Sequence, residues 1–281
     1  MLFVKLLIVG DDILMKNLLS DKKSGKNIIV EVRNVKIGSS EKVIISGPCS
    51  VENYEVMIDI AHELKTAGVN ILRGGAFKPR TSPYDFQGLQ YEGLKILHDV
   101  GKEVNLPVVS EVMDPRDIDI SMKYIDILQV GSRNMYNYSL LKEIGNTNIP
   151  VILKRGMSAT VTEWMNAAEY MLSLGNFNVI LCERGIRTFE SYTRNTLDLN
   201  TVAVIKQKYR LPIIVDPSHG TGLRELVPSL SVASLCAGAD GLLIESHIDP
   251  EKAVSDARQT ISVDTLKGII KATRKLEKLE L

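Results

Sequence analysis

Four residues of metal-binding types lie at related places along the chain. Cys49, His219 and Glu245 each stand at or just past the end of a short apolar segment, and Asp256 follows eleven residues after Glu245. A thiolate, an imidazole and two carboxylates would make a four-ligand site for a divalent metal. Because the set mixes soft and hard ligands, it favours Mn, Fe, Co or Zn over Mg or Ca.

A structural explanation competes with the metal site for each single residue. A lone cysteine is most often a small buried hydrophobic residue, which is our interpretation of Cys182 and Cys236. His62 and His98 lie in helical stretches and are interpreted as surface or packing residues. His247 lies near Glu245, so its role stays open at this point.

Basic residues also follow several of the apolar segments. A single basic residue in such a place is more often a solvated loop residue. A converging set without apparent acidic partners would repel itself unless an anion lay between its members. Guanidinium and ammonium groups suit phosphate and carboxylate, so the set predicts an anion-binding site. Its members are Arg73, Lys78, Arg133, Lys154 and Arg184.

Eight apolar, β-branched segments would position these residues. Each is nearly continuous in apolar residues, as a strand covered on both faces should be, and amphipathic stretches such as 54–67, 160–174 and 223–237 lie between them. Strand–helix alternation predicts parallel pairing, and eight units favour an α/β fold of the (β/α)8 (TIM) barrel type. An open doubly wound sheet is the alternative, although no GxGxxG follows the first segment. The segments are Val43–Ser46, Val69–Arg73, Pro107–Glu111, Ile125–Val130, Pro150–Lys154, Asn178–Cys182, Pro212–Val215 and Asp240–Glu245.

The chain divides into a short extension and a barrel. Residues 1–42 stand outside the repeat, and within them 27–36 alternate between apolar and polar residues, which predicts a strand or hairpin at the barrel floor. Residues 43–281 form the predicted catalytic barrel. Its tail, 266–281, is predicted to be a charged helix with a solvated face.

Composition excludes several classes of protein. The 281 residues are 44% hydrophobic, with 34 Lys+Arg against 34 Asp+Glu, which argues against a general nucleic-acid binder. Three cysteines are too few for a disulfide framework, so a reducing cytoplasm fits best. We expect no signal peptide, because the apolar start of the chain has no small-residue cleavage site. We also expect no membrane span, because no apolar run reaches about 18 residues.

Six motifs together resemble one enzyme family. GPCS (47–50), LRGGAFKPRTS (72–82), GSRNM (131–135), LKRGM (153–157), CERGIRTFE (182–190) and DPSHGTG (216–222) occur in this order. In order and spacing they resemble 3-deoxy-D-arabino-heptulosonate 7-phosphate (DAHP) synthases, in the short microbial subclass related to 3-deoxy-D-manno-octulosonate 8-phosphate synthases. The resemblance covers about residues 27–265.

The resemblance implies a barrel that condenses phosphoenolpyruvate with erythrose 4-phosphate, the first step towards the aromatic amino acids. It makes Cys49, His219, Glu245 and Asp256 the metal ligands. It assigns phosphoenolpyruvate to Arg73, Lys78, Arg133, Lys154 and Arg184 with the backbone at Ser132. It also assigns the aldose phosphate to Lys78, Pro79, Arg80, Thr81 and Ser82. A homo-oligomer, a tetramer or a dimer, is implied as well.

Three further roles belong to the reaction that the resemblance implies. Lys78 is the candidate proton donor to the new hydroxyl, because an ammonium group can both bind and donate. Glu111 is a weaker candidate that would position water. Asp216 would orient His219 or the substrate.

Three alternatives stay open. The first is the sibling octulosonate synthase, which uses arabinose 5-phosphate; the KPRTS segment and the GIRTFE continuation argue against it. The second is a metal-free aldolase with Lys154 as Schiff-base amine. The third is a non-catalytic sensor of phosphorylated ligands, for which a four-ligand metal set would lack a purpose.

Regulation is the last expectation. Many relatives carry an added ferredoxin-like domain or a fused chorismate mutase that binds feedback inhibitors. About 26 residues precede the matching region here, which predicts a catalytic core without its own allosteric domain.

Overall fold

Eight parallel strands close into a barrel. The computed structural model of the chain describes residues 18–78, 82 and 84–278. The last strand pairs with the first, Leu242 opposite Ile44, and also with its predecessor, Leu242 opposite Val215. This closure confirms the predicted (β/α)8 barrel and excludes the open sheet. The barrel strands are β3 (Val43–Gly47), β4 (Ile71–Arg73), β5 (Val108–Val112), β6 (Ile127–Val130), β7 (Val151–Lys154), β8 (Val179–Glu183), β9 (Ile213–Val215) and β10 (Gly241–His247).

Helices cover the outside of the barrel, and side-chain caps fix several of their starts. The predicted stretch 54–67 is a helix with the same bounds, capped by Asn53. The stretch 160–174 is helical from 161 to 172, where Thr160 and Glu163 form a capping box. The stretch 223–237 begins with a 3-10 turn, Arg224–Leu226. The helices are α1 (Tyr54–Ala67), α2 (Gln90–Glu103), α3 (Ile118–Ser121), α4 (Tyr138–Gly145), α5 (Val161–Leu172), α6 (Leu199–Lys208), α7 (Pro217–Thr221), α8 (Val227–Cys236) and α9 (Val263–Leu276).

An N-terminal hairpin closes the floor of the barrel, at the amino ends of the strands. β1 (Val30–Val32) and β2 (Val35–Ile37) pair antiparallel, with alternate residues buried. Their buried side chains join one hydrophobic cluster with the side chains inside the barrel, among them Ile45, Ile71 and Ile127. The alternation in residues 27–36 therefore predicted the hairpin correctly.

The C-terminal helix is amphipathic rather than charged on every side. It starts at Val263 with Ser262 as its N-cap, and Leu266, Ile269 and Ile270 are buried on one face. Lys271 and Lys275 are exposed on the other, as predicted for the solvated face. A two-residue strand before it, β11 (Ile261–Ser262), pairs with the end of β10.

Two of the free cysteines lie in different environments. Cys182 is buried inside the barrel, as predicted. The same prediction was wrong for Cys236, which is exposed because it ends α8 at the outer surface. Within the described part of the chain, no helix is long and apolar enough to cross a membrane.

Candidate active site

The polar residues that follow the strands converge at the mouth of the barrel. They line an open cleft of about 840 Å³. Ser82 is half-buried nearby, and its hydroxyl accepts a hydrogen bond from the Tyr84 amide at 3.3 Å. Three predicted substrate residues, Pro79, Arg80 and Thr81, lie outside the described residues. The cleft is lined by Lys78, Asp85, Glu111, Gly131, Ser132, Arg133, Met157, Arg184, Arg194, His219 and Asp256.

Three of the four predicted metal ligands form a tight cluster. Cys49, Glu245 and Asp256 each offer a ligand atom, and these atoms lie within 4.8 Å of one another. The Cys49 thiol donates to Asp256 Oδ2 at 3.1 Å. His219 is the fourth: its Nε2 lies 3.5 Å from Glu245 Oε1. Burial, and then the charge of Glu245, raise the pKa of the Cys49 thiol to about 12.

Two buried cations surround this cluster. Arg73 Nη1 donates to Glu245 Oε1 at 2.6 Å. Lys78 Nζ lies 2.8 Å from Cys49 Sγ and donates to the Cys49 carbonyl at 3.0 Å. Burial alone would raise the pKa of Glu245, but His219, Arg73 and Lys78 hold it well below its usual range. Glu245 is therefore a carboxylate at neutral pH.

Asp216 links Lys154 to His219. Its Oδ2 accepts from Lys154 Nζ at 2.6 Å and lies 2.7 Å from His219 Nδ1. It also caps α7, which carries His219. His219 and Lys154 hold the pKa of Asp216 well below its usual range despite its burial. With Nδ1 bonded to Asp216, the His219 Nε2 atom faces Glu245.

These pairs correct one premise of the sequence analysis. Arg73 and Lys154 do have acidic partners, Glu245 and Asp216. The partners escaped notice because each lies far away in sequence, on another strand end. The prediction of cations that lack acids was therefore wrong for these two residues.

Arg184 is a buried cation of a different kind. Its guanidinium donates to the Gly185 carbonyl at 3.5 Å, and among the described residues it forms no ion pair. Burial lowers its pKa. Arg133 lines the same cleft from the 3-10 turn Ser132–Asn134 after β6. Because the buried guanidinium of Arg184 has no carboxylate partner among the described residues, it favours an anionic ligand in the cleft.

Glu111 faces the cleft from β5 and is held against β6. Gln129 donates to its Oε2 at 3.3 Å. A Cβ atom at position 131 would lie 2.1 Å from its Oε1, so a glycine at 131 leaves the space that the carboxylate occupies. The Glu111 carboxylate therefore lines the cleft, with one oxygen bonded to Gln129 and the other close to Gly131.

His247, left open above, contacts residues outside the cluster. Its Nδ1 accepts from the Asp249 amide at 2.9 Å. Its Nε2 is buried, 3.8 Å from Glu52 Oε1. Glu52 Oε1 also accepts from the Val254 amide, in the loop that carries Asp256.

Sequence reasoning missed two residues beside the cluster of Cys49, Glu245 and Asp256. Gln259 donates to Glu245 Oε2 at 2.6 Å, and Arg194 Nη1 donates to Gln259 Oε1 at 3.0 Å. Neither residue lies at the end of a strand, and it was mainly polar residues at strand ends that were identified from the sequence. The motif DPSHGTG did include Ser218, whose hydroxyl accepts from the Glu245 amide at 3.0 Å.

Known proteins resemble the chain over most of its length. Residues 21–280 match a family model described as the DAHP synthetase I family. The chain is 46% identical over 251 residues to a phospho-2-dehydro-3-deoxyheptonate aldolase of Thermotoga maritima, covering 89% of this chain and 74% of that protein. It is 30% identical over 267 residues to a 2-dehydro-3-deoxyphosphooctonate aldolase of Geobacter sulfurreducens, covering 88% and 97%.

Two solved structures agree closely with this one. The Thermotoga maritima DAHP synthase superimposes with a TM-score of 0.90 at 44% identity, covering 93% of this chain and 77% of that chain. A truncated form of the same synthase gives a TM-score of 0.86 at 42% identity, covering 92% and 95%. The similarity therefore extends over the barrel that carries the site.

Proposed function

Because the chain belongs to the DAHP synthetase I family, we propose that it condenses phosphoenolpyruvate with D-erythrose 4-phosphate and water. The products are 3-deoxy-D-arabino-heptulosonate 7-phosphate and phosphate, the first step of aromatic amino acid biosynthesis. The T. maritima relative at 46% identity, named as the heptonate aldolase, supports this substrate pair over arabinose 5-phosphate.

One structural observation carries the proposal: buried Arg184 lines the cleft without an ion-pair partner among the described residues. Arg133 and Ser132 border the same space. Phosphate presents several charged oxygens and pairs well with guanidinium groups. The phosphate group of phosphoenolpyruvate would supply the missing anion, and its carboxylate would meet Lys154 and Arg73.

A divalent metal at Cys49, His219, Glu245 and Asp256 belongs to the same proposal. The donor set fits such an ion, since one sulfur, one imidazole nitrogen and two carboxylates suit Mn, Fe, Co or Zn. The close approach of the Cys49, Glu245 and Asp256 ligand atoms also suits a shared cation. Such an ion, when bound, would supply Lewis acidity for the aldehyde oxygen of the aldose.

The chain's own residues would then guide the condensation. C3 of phosphoenolpyruvate forms a bond to the aldehyde carbon, and water adds at C2. The tetrahedral centre then releases phosphate, which Arg133 and Arg184 stabilise as it leaves. Lys78 Nζ donates a proton to the new hydroxyl oxygen. Glu111 orients the attacking water from its place in the cleft.

Asp216 would act through its neighbours. Its carboxylate holds His219 by Nδ1, which fixes the orientation of the ring, and it holds Lys154 at the phosphoenolpyruvate side. A Schiff-base role for Lys154 would require the loss of this ion pair, which argues against the metal-free aldolase.

The aldose phosphate is assigned to the segment from Lys78 to Ser82. Lys78 adjoins both the metal cluster and the cleft, so it stands where the two substrates would meet. We also propose a homo-oligomer, a tetramer or a dimer, which sedimentation of the purified protein would reveal.

The test is turnover by the purified protein loaded in turn with Mn, Co, Fe and Zn. We expect phosphate release from phosphoenolpyruvate with erythrose 4-phosphate, and much less with arabinose 5-phosphate. EDTA should abolish the activity, and borohydride should trap no enzyme-bound substrate. No turnover with any of these metals would refute the proposal, whereas equal use of both aldoses would refute its substrate assignment.

A further inference from the structure

We propose that Gln259 is a positioning residue of the metal centre and that Arg194 holds its amide in place. The inference rests on the proposed metal dependence and adds two residues outside the ligand set. It concerns how Glu245 and Asp256 are kept in position to bind an ion.

The carboxylate of Glu245 is fixed on both oxygens. Oε1 accepts from Arg73 and lies on the His219 side, while Oε2 accepts from Gln259 Nε2 at 2.6 Å. Glu245 and Gln259 are both buried, so water does not compete for these bonds. Rotation of the carboxylate plane would break the Gln259 bond, so the Gln259 amide helps to fix the plane in which Glu245 presents its oxygens to the cluster.

Charges on its two sides determine the orientation of the Gln259 amide. Its nitrogen faces the Glu245 carboxylate, and its oxygen accepts from Arg194 Nη1 at 3.0 Å. A flipped amide would set oxygen against carboxylate and N–H against guanidinium, which leaves both bonds unmade. Arg194 thus selects the amide orientation that holds Glu245.

The same segment carries Asp256. The amides of Gln259 and Thr260 donate to the Asp256 carbonyl at 3.1 and 3.3 Å, which closes a turn. Asp256 itself has a φ of 52°, in the left-handed region. Arg194 Nη1 lies 3.8 Å from Asp256 Oδ1 as well as bonding Gln259. One guanidinium therefore contacts a candidate ligand directly and a second one through Gln259.

The backbone positions Arg194 for this contact. Its amide donates to the Thr221 carbonyl at 2.8 Å, which joins its loop to the end of α7. At Gly222, with φ of 68°, a Cβ atom would lie 2.7 Å from the Arg194 Cβ. The glycine leaves the space that brings Arg194 to Gln259.

The experiment measures Co²⁺ binding to the purified full chain without substrates. Gln259→Met keeps the length of the side chain and removes both amide bonds. We expect its dissociation constant for Co²⁺, from chelator competition, to rise by about 10- to 100-fold, the usual cost of losing such a partner. We also expect shifted absorption bands in the Co²⁺ protein, because the geometry around the ion changes. A merely structural role would lower the melting temperature and leave the bands in place.

Arg194→Met tests whether Arg194 orients the Gln259 amide. It leaves no cavity in the core, because the Arg194 side chain is 44% exposed. Its Co²⁺ affinity should fall less than that of Gln259→Met. The double variant should lose less than the product of the two single effects, because the part of the Arg194 effect that reaches Glu245 passes through Gln259. Arg258→Met, which removes an exposed neighbour in the same segment, is the matched control and should bind Co²⁺ like the wild type.

Wild-type Co²⁺ affinity and bands in Gln259→Met would overturn the inference, as would single effects that multiply fully in the double variant. Because no substrate is present, a wild-type protein that binds Co²⁺ without turnover would refute the proposed activity alone. A wild-type protein that binds no Co²⁺ would overturn this inference together with the metal site.

Discussion

At the scale of single residues, the sequence predicted which residue types gather at the site but not which of them pair with one another. The residue types at the strand ends indicated a metal and an anion, because thiolate, imidazole, carboxylate and guanidinium groups have few other reasons to gather at one place. The links between them, Arg73 with Glu245 and Lys154 with Asp216, join residues 172 and 62 positions apart. Such links depend on strand order and closure, which local patterns do not record.

Cys49 offers the sharpest test of the ligand set. Cys49→Ala removes the one sulfur of the cluster and should lower both metal content and turnover, by at least about 100-fold, the upper end of the cost of losing an outer partner. The measurements are metal per chain and the rate of phosphate release. Cys236→Ala, which removes an exposed thiol at the end of α8, should change neither. A Cys49→Ala protein with full metal content and activity would remove Cys49 from the site.

Arg184 tests the anion-binding side. Arg184→Met should weaken the binding of phosphoenolpyruvate by about 10- to 150-fold, because hydrogen bonds to charged groups contribute about 1.5–3 kcal/mol. Isothermal titration calorimetry with phosphoenolpyruvate measures this directly. Lys275→Met removes a cation from the exposed face of α9 and controls for net charge. Equal affinity in Arg184→Met and Lys275→Met would show that Arg184 does not hold the substrate.

At the scale of elements, the eight strands were predicted in the right order, but most begin one or two residues later than the apolar segments. The cause is visible before three of them, where a polar residue bonds the neighbouring strand instead of continuing its own. Asn70 Oδ1 accepts from the Ile44 amide, Asp126 Oδ2 from Val108, and Asp240 Oδ2 from Ile213. A pattern of hydrophobicity cannot register a bond that crosses to another strand.

A buried network of charged side chains joins three elements. Arg155, after β7, donates to Glu183 at the end of β8 at 3.0 Å and to Asp198 at 2.9 Å. Asp198 is also the N-cap of α6, where it accepts from the Thr201 amide at 3.2 Å. The network orders the strand ends next to Lys154 and Arg184, so it supports the site without lining it.

Asp198→Ala should therefore lower the free energy of unfolding by about 1–3 kcal/mol, since it removes a helix cap and a charged hydrogen bond. Although burial raises the pKa of Asp198, its bonds to Thr201 and Arg155 lower it overall. A lowered pKa in the folded state means that the stabilisation is complete above the unfolded value, about 3.9, and is lost as pH falls through the folded value.

Urea unfolding of the Asp198→Ala and wild-type proteins at pH 7, 5 and 4 measures this effect. The difference between them should be similar at pH 7 and 5 and should begin to shrink only towards and below pH 4. Asp264→Ala, an acidic residue in the first turn of α9 with a 91% exposed side chain, is the matched control and should cost little at any pH. A difference that grew towards acid would contradict the assigned role.

At the scale of the whole molecule, stability and chemistry occupy opposite ends of the barrel. The floor holds the hairpin and its apolar cluster, and the mouth holds the charged pairs and the cleft. Strands of five to seven residues, as in β3 and β10, separate the two ends by about 15–20 Å. The net charge of zero does not reveal this division, because charged pairs at the mouth, such as Arg73 with Glu245 and Lys154 with Asp216, cancel in the total.

Ile37→Ala tests whether the floor of the barrel contributes to stability without affecting the chemistry at the mouth. Ile37 is fully buried in the hairpin, so the variant should lose about 2–5 kcal/mol of unfolding free energy through the cavity that it leaves. Under conditions where the protein stays folded, kcat/KM for phosphoenolpyruvate should remain within about twofold of the wild type, since additivity holds for sites more than about 10 Å apart. Ile29→Ala, at a residue that is 47% exposed beside the same hairpin, should change stability by less than about 0.5 kcal/mol. If Ile37→Ala lowered kcat/KM in proportion to its loss of stability, the floor would be coupled to the mouth, and the hairpin would be part of the catalytic machinery rather than its support.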